Sequence, residues 1–501
     1  MFMDIYKDRK EDGTCYQTPW QRSTPPLKLI RHLGKNILIH CPALPYDEKL
    51  IEIHRDRRAE MRVAFTTLGC RTNQNDTAEM QAVLEDEGFS VVGPHEPADI
   101  FVINTCTVTA KSDANSRLAV KKSLALNEDA LVVFTGCYAQ TSPEEAAQIP
   151  GLDIVLGNAN KLEIGRVIRK KLEALQAEDD FGLPLVHMTD ITQKWDFKTI
   201  PLSNFQGKTK AFIKVQTGCN ETCSFCTVVH ARGRSISDSR ENVLTNVRQA
   251  VAAGYKEITL TGINLGTYGM DLNPLETFSS LVREIADLPG EFRVRISSIN
   301  PMEIDGDLLR LIADHEKVCP HLHIPLQSGD DATLSRMRRN YNIAQYRQVV
   351  ARAVDQISHL GLGADVIVGF PGETEENFEK TYRLIEELPF SYLHVFTYSP
   401  RKGTDAYLMK ENIPKAIKKL RNRRLTELGH KKSIEFRQNF LNRIVNVLVE
   451  GSREGTTGKL RGHTQHYIPV SFDGEDSHMN RILPITIEHV SEQQVSGCLA
   501  S

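Results

Sequence analysis

The stretch AFIKVQTGCNETCSFC, residues 211–226, joins an apolar, β-branched run directly to three cysteines. Cys219, Cys223 and Cys226 have the spacing C-x3-C-x2-C, which places three thiols on one tight loop at the end of a predicted strand. Iron–sulfur clusters are held by cysteine thiolates and generally take four of them. Three protein ligands therefore leave one iron open, as in reactive rather than closed metal sites. The alternatives are chance clustering and a zinc knuckle, but the sequence offers no second C-x2-C pair.

Predicted strands and amphipathic helices alternate from this stretch onward, over residues 205–435. Such alternation indicates an α/β fold with a parallel sheet and helical crossovers. We expect a partial (β/α)6 barrel, with its chemistry at the carboxyl ends of the strands. The six predicted strands are AFIKVQ (211–216), EITLTG (257–262), FRVRISS (292–298), HLHIPLQ (321–327), GADVIVGF (363–370) and YLHVFTY (392–398).

Three more cysteines each follow a predicted buried strand in residues 61–180. Cys70, Cys106 and Cys137 come after the runs RVAFTTL, DIFVINT and ALVVFTG. Continuous apolar runs of this kind are typical of an open parallel α/β sheet, whose strands end at one common edge. The three thiols should therefore converge, each ahead of a helix whose amino terminus favours a thiolate. We interpret them as ligands of a second iron–sulfur cluster; the alternative is three buried apolar cysteines.

The two ends of the chain differ from this α/β pattern. Residues 437–499 contain short alternating runs such as RIVNVLVEG, HYIPVSF and RILPITIEHV, which predict a small all-β module. A basic segment, residues 415–443, leads into this module and overlaps its first residues. It carries ten Lys or Arg and two Glu. Residues 1–60 are rich in proline turns and charge, so we expect a disordered or mis-assigned extension before Met61.

Overall composition excludes several classes of protein. The formal charge of −3 over 501 residues rules out a polycation that wraps nucleic acid, although a local basic patch remains open. No run approaches the roughly 18 apolar residues of a membrane span, and the amino terminus has no apolar signal core. Ten cysteines are too sparse for a disulfide scaffold, so we expect a cytoplasmic protein.

The run CNETCSFC, residues 219–226, resembles the motif of the radical S-adenosylmethionine (SAM) superfamily. With a second triplet before it and a β module after it, the chain from Met61 onward resembles the methylthiotransferase family, whose members combine a cluster domain, a radical SAM barrel and a TRAM module. TLGCRTNQND (67–76) and NTCTVTAKSDANSR (104–117) are similar to the branch acting on N6-threonylcarbamoyladenosine in tRNA. One departure is TVVH (227–230), where the superfamily commonly has an Ile-Ile-Pro-aromatic run.

The resemblance implies a set of binding residues. For SAM, it points to the aromatic residue within the cysteine loop and to positions at the ends of barrel strands: Phe225, Thr261, Gly262, Asn264, His323, Gln327 and Gly369. For tRNA, the basic segment and the β module offer phosphate contacts and stacking surfaces. These predicted RNA contacts are Lys418, Lys419, Arg421, Arg423, Arg424, Arg461, His463 and Tyr467.

The resemblance also implies an activity: methylthiolation of C2 of threonylcarbamoyladenosine at position 37 of tRNA. The cofactors would be two 4Fe-4S clusters and SAM, which provides a 5′-deoxyadenosyl radical and, from a second molecule, the methyl group. The expected partners are the tRNA anticodon loop and an electron donor such as flavodoxin or ferredoxin, with no membrane or DNA. The alternatives are isopentenyladenosine or a ribosomal-protein aspartate as substrate, or a non-catalytic iron–sulfur or zinc RNA-binding protein.

Overall fold

The structure is a computed structural model that describes residues 61–177, 182–193, 195, 197–202, 209–410 and 413–500. The predicted extension 1–60 lies outside the described residues. Within them, the fold class expected from the sequence is confirmed: an open parallel α/β domain, a partial α/β barrel and a small closed β-barrel follow one another along the chain.

The amino-terminal domain is built on a parallel sheet with strand order β2-β1-β3-β4-β5-β6. The three predicted strands occupy its centre, where β3 and β4 are buried at every residue. The sheet strands found in residues 61–193 are β1 (Arg62–Thr67), β2 (Ser90–Val92), β3 (Ile100–Thr105), β4 (Leu131–Gly136), β5 (Ile154–Leu156) and β6 (Leu185–His187). Its α-helices are α1 (Arg71–Asp86), α2 (Ala110–Leu126), α3 (Cys137–Thr141), α4 (Pro143–Ala146) and α5 (Ile164–Gln176).

The second domain is a barrel that remains open on one side. Its strands pair in parallel as β7-β10-β11 and β12-β13-β14, and isolated bridges Val294–Val318 and Ser298–His323 join the two halves. All six predicted barrel strands are present. The strands of residues 209–397 are β7 (Ala211–Lys214), β8 (Gln216–Thr217), β9 (Ile236–Ser237), β10 (Glu257–Thr261), β11 (Arg293–Ile296), β12 (His321–His323), β13 (Gly361–Val368) and β14 (Tyr392–Thr397).

Helices connect these strands, and several begin at a polar residue whose side chain accepts a backbone N–H of the first turn. Ser239, Thr277, Asp305, Asn342 and Thr374 cap helices in this way, which is why those helices start where they do. The α-helices between Val228 and Gln438 are α6 (Val228–Arg232), α7 (Arg240–Ala252), α8 (Phe278–Asp287), α9 (Gly306–Asp314), α10 (Asp331–Arg336), α11 (Ile343–Gln356), α12 (Glu375–Glu387) and α13 (Lys415–Gln438).

The carboxyl-terminal module is a closed barrel with strand order β15-β16-β17-β19-β18. Its first strand begins at Ile444, after the predicted boundary at 437, because the basic segment continues as helix α13 to Gln438. The strands of residues 444–499 are β15 (Ile444–Val449), β16 (Leu460–Thr464), β17 (Pro469–Phe472), β18 (Ile482–Val490) and β19 (Val495–Leu499).

A buried ion cluster anchors this module to the amino-terminal end of the α/β barrel. Glu257, at the start of β10, binds Arg293 and Arg295 at 2.7 and 2.9 Å. The same two guanidinium groups donate to the carbonyl oxygens of His463 (2.8 Å) and Thr464 (3.0 Å) in the module. The module therefore closes the end of the barrel opposite the carboxyl ends of the strands. Among the described residues, no helix is both long and apolar enough to span a bilayer.

Candidate active site: two cysteine triplets

The first triplet lies on the loop that follows β8, at the carboxyl end of the first barrel strand. Burial raises the pKa of Cys226 to about 12, and the neighbouring thiols of Cys223 and Cys219 add to the shift. Burial likewise raises the pKa of Cys219 to about 11, with Cys223 contributing. Backbone N–H groups donate to two of the sulfurs, from Glu221 to Cys219 and from Val228 to Cys226, both at 3.4 Å. The three thiols thus lie together in one site that is partly buried from solvent.

Gln216 holds this loop in place, a role the sequence analysis did not foresee. Its side-chain amide donates to the carbonyl oxygens of Thr217 (2.8 Å) and Gly218 (2.7 Å), just before the first cysteine. Its carbonyl oxygen accepts the N–H groups of Ile263 and Asn264, both at 2.9 Å. Gln216 is fully buried and so ties the cysteine loop to the end of β10. A lone glutamine in a strand gives no signal of this kind in the sequence.

The run MRRNY, residues 337–341, lies along the other side of the cysteine loop and was also missed. The N–H of Ser224 donates to the carbonyl oxygen of Met337 at 3.0 Å, and its hydroxyl donates to that of Arg336 at 2.7 Å. Arg339 Nη1 donates to the Cys223 sulfur at 3.1 Å. The sequence signal that could have indicated this contact is the pair of arginines in a five-residue run directly after helix α10.

The second triplet converges at the carboxyl edge of the amino-terminal sheet. Cys70 is the N-cap of α1, Cys106 follows β3, and Cys137 is the first residue of α3. Burial raises the pKa of Cys106, and the neighbouring thiols of Cys137 and Cys70 raise it further. At Gly69 (φ +99°) a Cβ would fall 2.8 Å from the Cys106 Cβ, so only glycine lets the first two loops approach this closely.

Both triplets fit the cofactor that their spacing predicts. Each offers three neighbouring thiols at the carboxyl end of a parallel sheet, which is the donor set of an iron–sulfur cluster with an open iron. Each of these six cysteines is a free thiol. Cys319 and Cys498 lie apart, the former buried at the base of the barrel beside Arg295 and the latter exposed on β19.

A buried charge network connects the two sites across the domain boundary. Asp76 of α1 accepts hydrogen bonds from Lys161 and Lys214, both at 2.6 Å, and from Arg232 at 2.8 Å. Burial alone would raise the pKa of Asp76, but the three cations together hold it well below its usual range. Arg232 follows the first triplet in α6 and also donates to Asn73, three residues after Cys70, at 2.6 Å. The charge of Arg232 is therefore engaged in this buried network and does not face solvent.

Three of the predicted SAM residues adjoin the first triplet. Thr261 ends β10, Gly262 lies against Gln216, and the buried Asn264 has its side-chain amide beside the Glu303 carboxyl group. Asn264 Oδ1 accepts from Asn300 at 2.7 Å. Burial raises the pKa of Glu303, whereas hydrogen bonds from the side chains of Asn300 and Asn264 lower it, so this rim holds a buried carboxyl group beside two amides.

Phe225 and Gly369 form a second part of the predicted SAM site. The Phe225 ring lies 6.4 Å from that of Phe370, in an apolar group with Tyr398. Gly369 has φ +73°, and a Cβ there would fall 2.4 Å from the Lys418 side chain. Its N–H donates to Glu373 at 3.0 Å. The glycine is therefore required by both the turn and the close approach of α13.

His323 and Gln327 lie elsewhere on the inner face of the barrel. Gln327 has φ +62° and pairs with β13, its N–H donating to the carbonyl oxygen of Asp365 at 2.8 Å. His323 Nε2 lies 3.1 Å from an Asp365 carboxylate oxygen, which His394 also approaches at 3.2 Å. Burial would raise the pKa of Asp365, but hydrogen bonds and charge from these two histidines hold it well below its usual range. His323, predicted to bind SAM, thus lies in a polar group with Asp365 and His394.

The predicted RNA contacts on α13 fall on two faces of the helix. Lys418 and Arg421 are buried, Lys418 over the Tyr398 ring at 5.1 Å and Arg421 on Glu373 at 2.6 Å. They point toward the barrel because positions three and four apart share a helix face, and their contact with RNA phosphate stays a prediction. Lys419 and Arg423 are exposed, and Arg424 binds Glu379 at 2.7 Å.

In the β module, the predicted RNA contacts lie in two different places. Arg461 is exposed and binds Glu450 at 2.7 Å, and with His463 it lines a cavity of about 750 Å³ between α13 and the module. Tyr467 instead packs inward: its hydroxyl accepts from Arg71 at 2.9 Å, and Arg295 lies 5.2 Å from its ring. Tyr467 therefore joins the module to the barrel and to the residue after Cys70, and its role in base stacking stays a prediction.

Comparison with known proteins agrees with this geometry. Residues 62–157 match the model described as "Uncharacterized protein family UPF0004", and residues 213–385 match the radical SAM superfamily. Threonylcarbamoyladenosine tRNA methylthiotransferases MtaB are similar to this chain. The Bacillus subtilis protein is 36% identical, covering 85% of this chain and 93% of its own, and the Aquifex aeolicus protein is 37% identical, covering 83% and 97%. The chain belongs to the radical SAM tRNA methylthiotransferase family.

As a methylthiotransferase, the protein is an enzyme that uses SAM and two 4Fe-4S clusters. The family also includes a tRNA-2-methylthio-N(6)-dimethylallyladenosine synthase from Clostridium tetani, 31% identical to this chain and covering 89% of it and 98% of its own length. The two cysteine triplets lie in the two matched regions, with Cys70, Cys106 and Cys137 in the first and Cys219, Cys223 and Cys226 in the second.

Proposed function

We propose that this methylthiotransferase replaces the hydrogen on C2 of N6-threonylcarbamoyladenosine, at position 37 of tRNA, with a methylthio group. The observation that carries the proposal is the presence of two three-thiol sites in one chain, connected through the buried contacts of Arg232 with Asn73 and Asp76. Similarity to the two MtaB proteins, at 36% and 37% identity, supports threonylcarbamoyladenosine as the substrate.

Cys219, Cys223 and Cys226 would hold the cluster that binds SAM, and Cys70, Cys106 and Cys137 would hold the second cluster. When bound, these cofactors supply a 5′-deoxyadenosyl radical, the transferred sulfur and, from a second SAM, the methyl group. A radical is required because C2 of adenine carries no acidic proton for a general base to remove. The chain's own task is to position the reactants and to keep water from them.

Individual residues divide this task. Gln216 fixes the first cysteine loop against the end of β10, and the side-chain amide of the buried Asn264 at that strand end can donate to a carboxylate of SAM. Phe225 and Phe370 provide an apolar wall beside the loop. An unpaired base of the anticodon loop can leave its stack and enter such a site, which a paired base could not do.

For tRNA, we propose that the exposed cations of α13 and the β module contact the phosphate backbone. Lys419, Arg423 and Arg461 remain exposed, and His463 lines the adjoining cavity. A low-potential donor such as flavodoxin or ferredoxin would deliver the electron, and we expect neither DNA nor a membrane as a partner.

Substrate choice is tested by a competition experiment. Two tRNAs, one bearing threonylcarbamoyladenosine and one bearing isopentenyladenosine, are incubated together with reconstituted enzyme, SAM and dithionite, and the digested nucleosides are analysed by mass spectrometry. A charge-assisted hydrogen bond to the threonyl carboxylate contributes about 1.5–3 kcal/mol, so the threonylcarbamoyl product should exceed the other by at least about tenfold. A methylthio product on isopentenyladenosine alone would overturn the substrate assignment.

A further inference from the structure

Arg339 presents a fixed guanidinium group to a cysteine of the first triplet. Its Nη1 donates to the Cys223 sulfur at 3.1 Å. Its Nη2 donates to the Asn300 side-chain oxygen at 2.7 Å, and its Nε to the Tyr341 hydroxyl at 3.3 Å. With all three nitrogens engaged, the guanidinium plane has one orientation, and that orientation points a charged donor at the sulfur.

The groups that orient Arg339 are themselves held in place. The buried Tyr341 donates its hydroxyl to the carbonyl oxygens of Pro325 (2.9 Å) and Leu326 (3.0 Å), and its ring lies 5.0 Å from the Arg339 guanidinium. Asn300 donates to Asn264 at 2.7 Å. The contact with Cys223 is therefore part of a supported arrangement rather than a freely rotating surface side chain.

The charge of Arg339 is not neutralised by a carboxylate. Over the part of the chain that the structure describes, no Asp or Glu forms an ion pair with it, whereas the neighbouring Arg338 binds Asp405. Its contacts are neutral amide and phenol groups and the Cys223 sulfur. The positive charge thus remains available to stabilise negative charge at the first triplet.

We infer that Arg339 is a positioning residue that sets the reduction potential of the cluster held by Cys219, Cys223 and Cys226. Reduction transfers one electron from an external low-potential donor and makes the cluster more negative by one charge; no bond forms or breaks in this step. A cation hydrogen-bonded to a ligand sulfur stabilises the reduced state more than the oxidised state, which raises the potential. The inference rests on the first cluster of the proposed function but not on the identity of the tRNA substrate.

The test is a potentiometric titration followed by electron paramagnetic resonance. The parent is the full-length chain with Cys70, Cys106 and Cys137 replaced by Ala, so that only one cluster gives a signal. In Arg339→Gln we expect the reduced fraction at a fixed, limiting potential to fall about tenfold, equivalent to a midpoint about 59 mV more negative for one electron. Arg339→Lys keeps the charge and should recover most of the shift. The control Arg338→Gln should leave the midpoint unchanged.

The outcomes separate tuning from a purely structural role. If Arg339→Gln binds iron as the parent does and titrates at the same midpoint, the inference is wrong. If the variant only loads less iron, while the clusters that form titrate at the parental midpoint, Arg339 is structural and the inference is again wrong. A shifted midpoint in Arg339→Gln, together with no methylthiolated nucleoside from the enzyme that keeps all six cysteines, would support the inference while removing the proposed function.

Discussion

At the residue scale, the position of a cysteine relative to strand ends distinguishes a ligand from an incidental thiol. The six ligand candidates follow carboxyl ends of parallel strands, where loops from neighbouring strands meet. Cys319 precedes a strand at the opposite end of the barrel, and Cys498 lies on the last strand of the β module. The same residue type therefore has different chemistry because the sheet topology brings only some thiols together.

Gln216 is the residue whose replacement should most directly loosen the first cysteine loop. Gln216→Leu leaves two backbone N–H and two carbonyl groups without their partner in a buried site, at a cost of about 1–3 kcal/mol for each unsatisfied group. We expect a clear loss of stability in chemical denaturation and weaker SAM binding in equilibrium dialysis. Gln249→Leu, on the exposed face of α7, is the matched control and should change stability by no more than about 0.5 kcal/mol. Equal behaviour of the two variants would contradict the role assigned to Gln216.

At the scale of elements, buried charge rather than apolar packing alone joins α1 to the barrel. Asp76 of α1 binds Lys214 of β7 and Arg232 of α6, all three nearly inaccessible to solvent. Removing one partner of a buried ion network leaves the remaining charges uncompensated, which is more destabilising than losing a surface pair. The network therefore fixes how the two cysteine loops lie relative to each other.

Asp76→Asn should lower the free energy of unfolding by about 3–5 kcal/mol, because three buried cations lose their shared carboxylate. The control Glu96→Gln breaks the exposed pair with Arg62 (2.7 Å) and should cost no more than about 1 kcal/mol. Since the folded-state pKa of Asp76 is lowered, its stabilisation is present above the ordinary carboxyl pKa and is lost as the pH falls toward the lowered value. The difference in free energy of unfolding between parent and variant, measured with urea, should thus be largest at neutral pH and should decrease in acid. A difference that does not depend on pH would contradict this account.

The sequence was sufficient for the long elements and insufficient for the contacts between them. Continuous β-branched runs predicted the central strands of both α/β domains, whereas β2, β5 and β6 are three residues each and too short to show a period. The burial of Lys418 and Arg421 was not predicted, because a lysine or arginine stem can lie along an apolar helix face while its charge contacts a buried partner. Gln216 and Arg339 each also contact residues distant in sequence, Gln216 at the end of β10 and Arg339 at Cys223 and Asn300, and no local pattern predicts such contacts.

At the scale of the whole molecule, a nearly neutral protein needs a localised basic surface to bind tRNA. The exposed face of α13 carries Lys419 and Arg423, and the β module beside it carries Arg461. Neutralising phosphates releases counterions, so affinity should fall steeply as salt rises.

The double variant Lys419→Gln/Arg423→Gln should weaken tRNA binding and make the slope of log affinity against log salt shallower by about two, since each phosphate contact contributes about one. Fluorescence anisotropy with labelled tRNA at several salt concentrations measures both quantities. The control Lys256→Gln/Arg310→Gln removes the same charge from exposed ion pairs elsewhere on the barrel and should leave the slope unchanged. An equal change of slope in both double variants would mean that general charge, not this face of α13, binds the tRNA.

The central claim is that both cysteine triplets cooperate in methylthiolation of tRNA. Anaerobically reconstituted enzyme is incubated with SAM, dithionite and tRNA bearing threonylcarbamoyladenosine, and nucleosides and 5′-deoxyadenosine are measured by mass spectrometry. We predict the methylthio nucleoside with the parent and with Cys319→Ser, 5′-deoxyadenosine without that nucleoside in Cys70→Ala, and neither in Cys226→Ala. Formation of the methylthio nucleoside by Cys70→Ala, or no product from fully iron-loaded parent enzyme, would contradict the account.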